Sequence, residues 1–145
     1  MSDVLLQVNH VKKYFKTPKG ILHAVDDVTF SIDRGKTLGV VGESGCGKTT
    51  LGRSLLRLVE PTQGEIWYDG LNICQLSKPE LRRLRKDLQI IFQDPYSSLN
   101  PRFTAGRAIL DPMKLHHCCA NEREGKEKVM ELLEQVQLKA SDYYR

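Results

Sequence analysis

A glycine-rich segment, residues 42–49, is the part of the sequence whose residue types and spacing could do chemistry. It fits the pattern GxxxxGK[ST] of a phosphate-binding loop. Loops of this composition turn backbone N–H groups toward a phosphate, and the N-terminus of the following helix adds a favourable dipole. We therefore expect Lys48 to reach the β- and γ-phosphates of a nucleotide and the Thr49 hydroxyl to bind Mg²⁺.

The segments on either side of this loop match the context that such a loop requires. Residues 37–41 form a short apolar run of the kind that is buried on both faces of a parallel sheet, which predicts a strand. From Lys48 onward, leucines recur at helical spacing and predict a helix that ends before Pro61. A strand, a glycine loop and a helix thus follow one another.

Further strands are predicted from apolar alternation and turn residues. Residues 5–11 and 28–32 alternate as half-buried strands do, and a turn at residues 17–20 separates them. Residues 65–68 and 88–92 are also predicted strands. Together with the helix after the glycine loop, they indicate an α/β fold.

Helical patterns dominate the later part of the sequence. Ser77 is placed to cap a short helix, and longer helices are predicted at residues 108–115 and 122–136. The change to a helical pattern after the proline at position 101 predicts a subdomain boundary between residues 1–101, which contain the predicted strands and the glycine loop, and the helical residues 102–145.

Composition and charge exclude several classes of protein. Hydrophobic residues make up 40% and charged residues 28% of the 145 positions, as in a soluble globular chain. The 22 Lys and Arg exceed the 18 Asp and Glu by only four, too few to indicate nucleic-acid binding. No apolar run is long enough to span a membrane, and the first residues do not resemble a secretory signal. We expect a cytoplasmic chain that binds no nucleic acid.

Three segments of the sequence, residues 39–53, 61–66 and 91–102, closely resemble the ATP-binding subunits of ABC transporters. The last segment is the most specific and resembles the subunits that serve dipeptide and oligopeptide importers. The resemblance extends over essentially the whole chain. It implies an α/β P-loop NTPase core with an antiparallel β subdomain and the start of a helical subdomain.

The resemblance also implies roles outside the loop. Gln93 matches the family's Q-loop glutamine, which contacts Mg²⁺ and the attacking water and links the site to the membrane subunits. Phe15 matches the aromatic residue that stacks on adenine, and the adjacent Tyr14 remains the alternative. Asp94 could instead be read as a strand-end carboxylate that holds Mg²⁺, but Gln93 interrupts the apolar run and Pro95 follows at once, as in a Q-loop.

The predicted site comprises three overlapping groups of residues. The nucleotide-binding residues are Phe15, Gly42, Ser44, Gly45, Cys46, Gly47, Lys48, Thr49 and Thr50; the catalytic residues are Lys48 and Gln93; the Mg²⁺ ligands are Thr49 and Gln93.

The function implied by the resemblance is an ATP-hydrolysing transport subunit. Such a subunit binds ATP and Mg²⁺, pairs with a second identical or homologous ATPase subunit, and drives integral-membrane permease subunits. It lies peripherally at the cytoplasmic face of the inner or plasma membrane. The implied cargo is a di- or oligopeptide, with another cargo such as nickel as an alternative, and residues 93–102 are the expected surface of transmission to the permease.

Several parts of the family's site do not occur in these 145 residues, namely the signature loop, the Asp-Glu strand end and the switch histidine. We therefore expect an amino-terminal half that binds nucleotide weakly at most and does not hydrolyse it alone, because phosphoryl transfer depends on complete positioning and charge stabilisation. A non-hydrolysing binding or interaction fragment is the alternative. Uncovered apolar edges should favour aggregation.

Overall fold

The computed structural model describes residues 3–94 and 98–145 and divides into two compact units. The first unit spans Met1–Leu88 and the second spans Gln89–Arg145. The predicted subdomain boundary between residues 101 and 102 remains a prediction. Among the described residues, no helix combines the length and the apolar character needed to cross a bilayer.

An antiparallel sheet of four strands frames the first unit. Strands β1 (Val4–Thr17) and β2 (Gly20–Asp33) form a long hairpin, and β3 (Gln63–Tyr68) pairs with the other edge of β1 and with the short β4 (Leu71–Asn72). The strands predicted around residues 5–11, 28–32 and 65–68 and the turn between the first two are confirmed. The hairpin is longer than predicted because its cross-strand pairing continues to the turn itself.

One face of this sheet carries the core of the first unit, as the apolar alternation predicts. The buried residues of this core are Val8, Val11, Val25, Leu51, Ile66 and Ile73. Leu51 belongs to the helix that follows the glycine loop, so the core fixes that helix against the sheet.

Helix α1 (Lys48–Leu55) begins directly after the glycine loop, as predicted, but ends well before Pro61. Arg57 has a left-handed backbone (φ 52°), which a continuing helix cannot accommodate. Its guanidinium Nη1 donates to the carbonyls of Ile73 at 2.8 Å and Leu76 at 2.7 Å. The chain therefore leaves the helix where a tertiary contact holds Arg57.

Helix α2 (Lys78–Leu84) begins at the cap that the sequence predicts. The backbone N–H of Ser77 donates to Glu80 Oε2 at 2.8 Å, and a capping box satisfies the first turn. This hydrogen bonding with Ser77 lowers the pKa of Glu80 below its ordinary value. Leu84 packs against the core of the first unit.

Two predicted strands, at residues 37–41 and 88–92, are wrong. Val41 is 94% exposed and Ile91 is 98% exposed. An apolar run becomes a strand only when a neighbour takes its backbone hydrogen bonds. Within residues 3–94 and 98–145 neither segment joins the described sheet, which is antiparallel throughout.

The second unit contains helices α3 (Ala105–Leu115) and α4 (Glu122–Gln135), followed by a 3-10 helix (Ala140–Tyr144). Both predicted helices are confirmed, and α3 begins earlier than predicted because the Thr104 hydroxyl accepts from the N–H of Arg107 at 3.2 Å.

The core of the second unit consists of the buried residues Leu110, Val129 and Leu133. The apolar periodicity also predicts Leu132 and Val136 to face inward, but they are 42% and 65% exposed. Helix α4 ends at Gln135, so Val136 stands at its C-cap and leaves the helical face.

Candidate phosphate-binding site

The glycine loop, residues 42–47, leads directly into helix α1. Within it, the N–H of Cys46 donates to the carbonyl of Glu43 at 3.4 Å and closes a turn. Gly47 is the N-cap residue of the helix with φ 97°, a left-handed conformation that favours glycine. The loop and helix that the sequence predicts are therefore present, whereas the strand predicted before the loop is not.

Lys48 folds its side chain back across this loop. Its Nζ donates to the carbonyl oxygens of Gly42 at 2.7 Å and Glu43 at 2.6 Å, and lies 3.5 Å from Cys46 Sγ. A lysine ammonium is a compact charge with three donors and binds phosphate oxygens as a point charge. The loop thus holds a positive charge beside the N-terminus of a helix, where an anion is favoured.

A pocket of about 370 Å³ opens beside the loop. Its lining includes Cys46, Gly47 and Lys48 together with apolar residues such as Val25 and Leu51. This volume falls in the range of small-molecule sites, roughly 300–1,000 Å³. A cationic loop next to an apolar wall suits a ligand with an anionic part and an apolar part.

Thr49 and Thr50 occupy the first turn of α1, immediately after Lys48. Thr49 is exposed and Thr50 is half-buried. Mg²⁺ bound to a nucleotide usually takes only one or two protein oxygens and completes its shell with phosphate oxygens and water. An exposed Thr49 hydroxyl beside the cationic loop fits that requirement.

Phe15 and Tyr14 lie on opposite faces of the β1–β2 hairpin. The Tyr14 ring stacks on His23, with centroids 3.9 Å apart. The Phe15 ring lies 4.8 Å from Lys13 Nζ, and Lys13 pairs with the core residue Val25. Phe15 is therefore on the face that carries the core, and it remains the predicted adenine-stacking residue. Neither ring lines the pocket.

Gln93 lies in the second unit, where it is exposed. Its predicted roles in binding Mg²⁺ and in catalysis remain predictions. The expected transmission surface, residues 93–102, includes residues 95–97, which lie outside the described residues. The structure therefore brings together Gly42, Gly47 and Lys48, whereas Gln93 belongs to a separate unit.

Three residues beside the loop, His23, Ala24 and Asp26, line the pocket but were not predicted from the sequence. The hydrogen bond that the Tyr14 hydroxyl donates to the Asp26 carboxylate raises the pKa of Tyr14 to about 12 and lowers the pKa of Asp26. Counting back from the Thr17–Gly20 pair at the turn would place Tyr14 opposite His23. The same count does not predict the contact between Tyr14 and Asp26, because the pairing of the two strands is irregular beyond His23.

Comparisons with known proteins identify relatives of the chain. Residues 25–144 match the ABC transporter family. The chain is 46% identical over 139 residues to the Oligopeptide transport ATP-binding protein OppF of Bacillus subtilis (strain 168), covering 95% of this chain and 46% of that protein. It is 47% identical over 143 residues to the Probable peptide ABC transporter ATP-binding protein y4tS of Sinorhizobium fredii, covering 94% of this chain and 40% of that protein.

The fold is also similar to solved structures of ATP-binding cassettes. One is the dimeric structure of a post-hydrolysis state of the ATP-binding cassette MJ0796 bound to ADP and Pi, with a TM-score of 0.82 and 25% identity; the match covers 97% of this chain and 61% of that chain. The chain spans less than half the length of the two curated relatives above. Because the family match extends over residues 25–144, the chain belongs to the ABC transporter family.

Proposed function

We propose that this chain is the nucleotide-binding part of the ATP-hydrolysing subunit of an ABC importer. The observation that carries the proposal is the Lys48 ammonium, held by two carbonyls of the glycine loop at the N-terminus of α1. A phosphate chain in the loop would offer Lys48 anionic oxygens in place of neutral carbonyls, and charge-assisted hydrogen bonds are the stronger kind. The adjacent pocket, which Lys48 also lines, offers space for the part of a nucleotide next to its phosphates.

The proposed division of roles follows the resemblance to ABC transporter subunits. Lys48 binds the β- and γ-phosphates, the exposed Thr49 hydroxyl binds Mg²⁺, and Phe15 stacks on adenine. Gln93 completes the Mg²⁺ site and orients the attacking water. When bound, Mg²⁺ neutralises charge on the phosphate oxygens. The amide oxygen of Gln93 suits this role because it coordinates metal without adding charge.

The proposed cargo is a short peptide. Relatives are described as oligopeptide or peptide transport proteins, and one at 44% identity is the Glutathione import ATP-binding protein GsiA of Pectobacterium atrosepticum. Glutathione is itself a short peptide, so these names agree on a cargo class. We propose integral-membrane permease subunits and a second ATPase subunit as partners, at the cytoplasmic face of the membrane.

Binding of Mg²⁺-ATP to the purified chain, measured by titration calorimetry, tests the nucleotide proposal. We compare the wild-type chain with Lys48→Ala and with Lys19→Ala, which removes an exposed lysine in the hairpin turn. We expect Lys48→Ala to weaken binding at least about tenfold, because it removes a charge-assisted contact, and Lys19→Ala to leave it unchanged. Equal affinities for the wild type and Lys48→Ala would show that the loop is not a nucleotide site.

Uptake of a labelled tripeptide by intact cells tests the cargo proposal. Deleting the gene should abolish uptake, the wild-type gene should restore it, and the gene with Lys48→Ala should not. Peptide uptake that persists after deletion, together with loss of Ni²⁺ uptake, would contradict a peptide cargo and favour the nickel alternative.

A further inference from the structure

The register of the β1–β2 hairpin is irregular at several places, and one of them leaves Ala24 unpaired on the strand beside the glycine loop. Lys13 pairs with Val25 and the next residue, Tyr14, pairs with His23, so the pairing skips Ala24. An extra residue on one strand is a β-bulge, which bends that strand and redirects its backbone groups.

The backbone of this bulge meets the glycine loop. A Cβ built on Gly47 would lie only 2.1 Å from the carbonyl oxygen of Ala24. Ala24 also lines the pocket together with Lys48. The backbone of the bulge therefore packs closely against the residue at the N-terminus of α1.

Tyr14 spans the bulge and contacts a residue on each side of it. Its ring stacks on His23 with an interplanar angle of 25°, and its hydroxyl donates to the carboxylate of Asp26. His23 Nδ1 lies 3.5 Å from Asp26 Oδ2, so the residues that flank the bulge also approach each other. A hydrogen bond to a carboxylate is about twice as strong as one between neutral groups.

We propose that Tyr14 is a positioning residue for the nucleotide pocket: by holding His23 and Asp26 on the two sides of the bulge, it keeps the Ala24 carbonyl against Gly47 and so fixes the glycine loop. The expected effect on nucleotide binding rests on the proposed function, whereas the expected effect on the glycine loop does not. His23 and Asp26 line the pocket as well, so a loosened bulge would alter the pocket directly.

Hydrogen exchange of the chain without nucleotide tests this proposal. The amide of Leu51 donates to the carbonyl of Gly47 at 2.8 Å and reports on the first turn of α1. We expect Tyr14→Phe, which keeps the ring and removes the hydroxyl, to speed its exchange about three- to tenfold, the effect of losing one hydrogen bond. The matched control, Tyr68→Phe on β3, should leave it unchanged. Unaltered exchange in Tyr14→Phe would overturn the proposal.

Mg²⁺-ATP affinity of the same variants separates this proposal from the proposed function. We expect Tyr14→Phe to weaken binding about three- to tenfold by the same hydrogen-bond loss, and Tyr68→Phe not to. If the wild-type chain bound no nucleotide, the proposed function would fail while hydrogen exchange still decided the role of Tyr14. If the wild type bound nucleotide and Tyr14→Phe bound it equally well, the positioning role would be wrong.

Variants of Asp26 distinguish a specific effect of the Tyr14–Asp26 hydrogen bond from general loosening of the hairpin. Asp26→Asn keeps a carbonyl oxygen that can accept from the Tyr14 hydroxyl, whereas Asp26→Ala does not. We expect Asp26→Asn to exchange nearly as slowly as the wild type and Asp26→Ala to exchange at least as fast as Tyr14→Phe, because it also removes the contact with His23. Adding Tyr14→Phe to Asp26→Ala should have no further effect, because Asp26→Ala has already removed the hydrogen bond that the Tyr14 hydroxyl donates. Additive effects would overturn the proposal.

Discussion

Asp94 is the residue that two interpretations of the sequence use differently. One interpretation makes it a strand-end carboxylate that binds Mg²⁺, and the other assigns the metal to Thr49 and Gln93. The strand that would end at Asp94 does not form, so the premise of the first interpretation fails. Thr49 therefore remains the proposed ligand.

Replacing Thr49 and replacing Asp94 should have different effects on ATP affinity. Thr49→Ala should lower Mg²⁺-dependent ATP affinity at least about tenfold, since even the partners of metal ligands have effects of that size. Thr49→Ser keeps the hydroxyl and should bind normally, and Asp94→Ala should also leave affinity nearly unchanged. Titrations with and without Mg²⁺ measure the difference. A loss in Asp94→Ala as large as that in Thr49→Ala would reverse the assignment.

The Tyr14 hydroxyl should titrate at a higher pH than that of an ordinary tyrosine. Its hydrogen bond to Asp26 raises its pKa to about 12, so the interaction stabilises the folded chain below the ordinary tyrosine pKa of about 10 and is lost as the pH rises through the folded value. The same bond lowers the pKa of Asp26. The stabilisation that the ionised Asp26 gives the folded chain is therefore lost as the pH falls through the carboxyl pKa of the folded state.

Ultraviolet absorbance of phenolate, followed during an alkaline titration, measures this shift. We expect one of the five tyrosines to titrate near pH 12 and that late step to disappear in Tyr14→Phe. If Tyr14→Phe instead removed a tyrosine that titrates at the ordinary value, the hydrogen bond would not hold in solution.

At the scale of elements, the junction between β3 and β1 depends on Gly64. Its φ is 94°, and an added Cβ would lie 2.4 Å from the His10 carbonyl oxygen and 2.6 Å from Val11 Cα. Both contacts are to backbone, which cannot turn aside as a flexible side chain can. The two strands approach this closely only because the residue is glycine.

Gly64→Ala should destabilise the first unit by about 2–4 kcal/mol, combining left-handed strain with overpacking. Gly70→Ala is the matched control, because Gly70 has φ 77° but open space around it, and should lose only about 1 kcal/mol. Urea unfolding followed by fluorescence of Trp67, the single tryptophan, measures both. Equal losses would mean that backbone strain alone explains the glycine.

The N-terminus of helix α4 depends on a single capping residue. Asn121 Oδ1 accepts from the N–H of Glu124 at 2.9 Å. We expect Asn121→Ala to destabilise the second unit by about 1 kcal/mol, because an amide of the first turn loses its partner, and Asn121→Ser to retain most of the stability. Thermal unfolding followed by circular dichroism compares them. Identical stability of Asn121→Ala and the wild type would show that water replaces the cap.

At the scale of the whole molecule, large apolar side chains remain exposed on both units. Val41, before the glycine loop, is 94% exposed, and Ile91 in the second unit is 98% exposed. Both lie in segments that the sequence predicts as strands but that have no described strand beside them. Exposed apolar segments of this kind favour self-association.

We expect the purified chain to self-associate, and the double variant Val41→Ser, Ile91→Ser to shift it toward monomer without lowering its melting temperature, because neither side chain is packed. Light scattering measures the association. Leu71→Ser, which removes a side chain 51% exposed on the paired strand β4, is the control and should change association little. Unchanged association of the double variant would mean that these segments are not the contact surfaces.

The sequence by itself determined the features that depend on neighbouring residues in the chain. The glycine loop, the start of α1 at Lys48, the cap at Ser77 and the hairpin turn at residues 17–20 all follow from local backbone preferences and hydrogen bonds within a few residues. The family followed as well, because the loop and the segment at residues 91–102 are specific patterns. These features require no knowledge of what lies across the fold.

Tertiary structure alone decided the features that depend on distant residues. Residues 37–41 and 88–92 have strand composition but do not join the sheet in the part of the chain that the structure describes. The hydrogen bonds of a strand are made with another segment of the chain, so local sequence does not decide them. Helix α1 ends where Arg57 reaches carbonyls far along the chain. The bulge at Ala24 and the contact of Tyr14 with Asp26 arise from an irregular cross-strand register. Periodicity reports which face of an element is apolar, but only the folded chain determines which partner meets it.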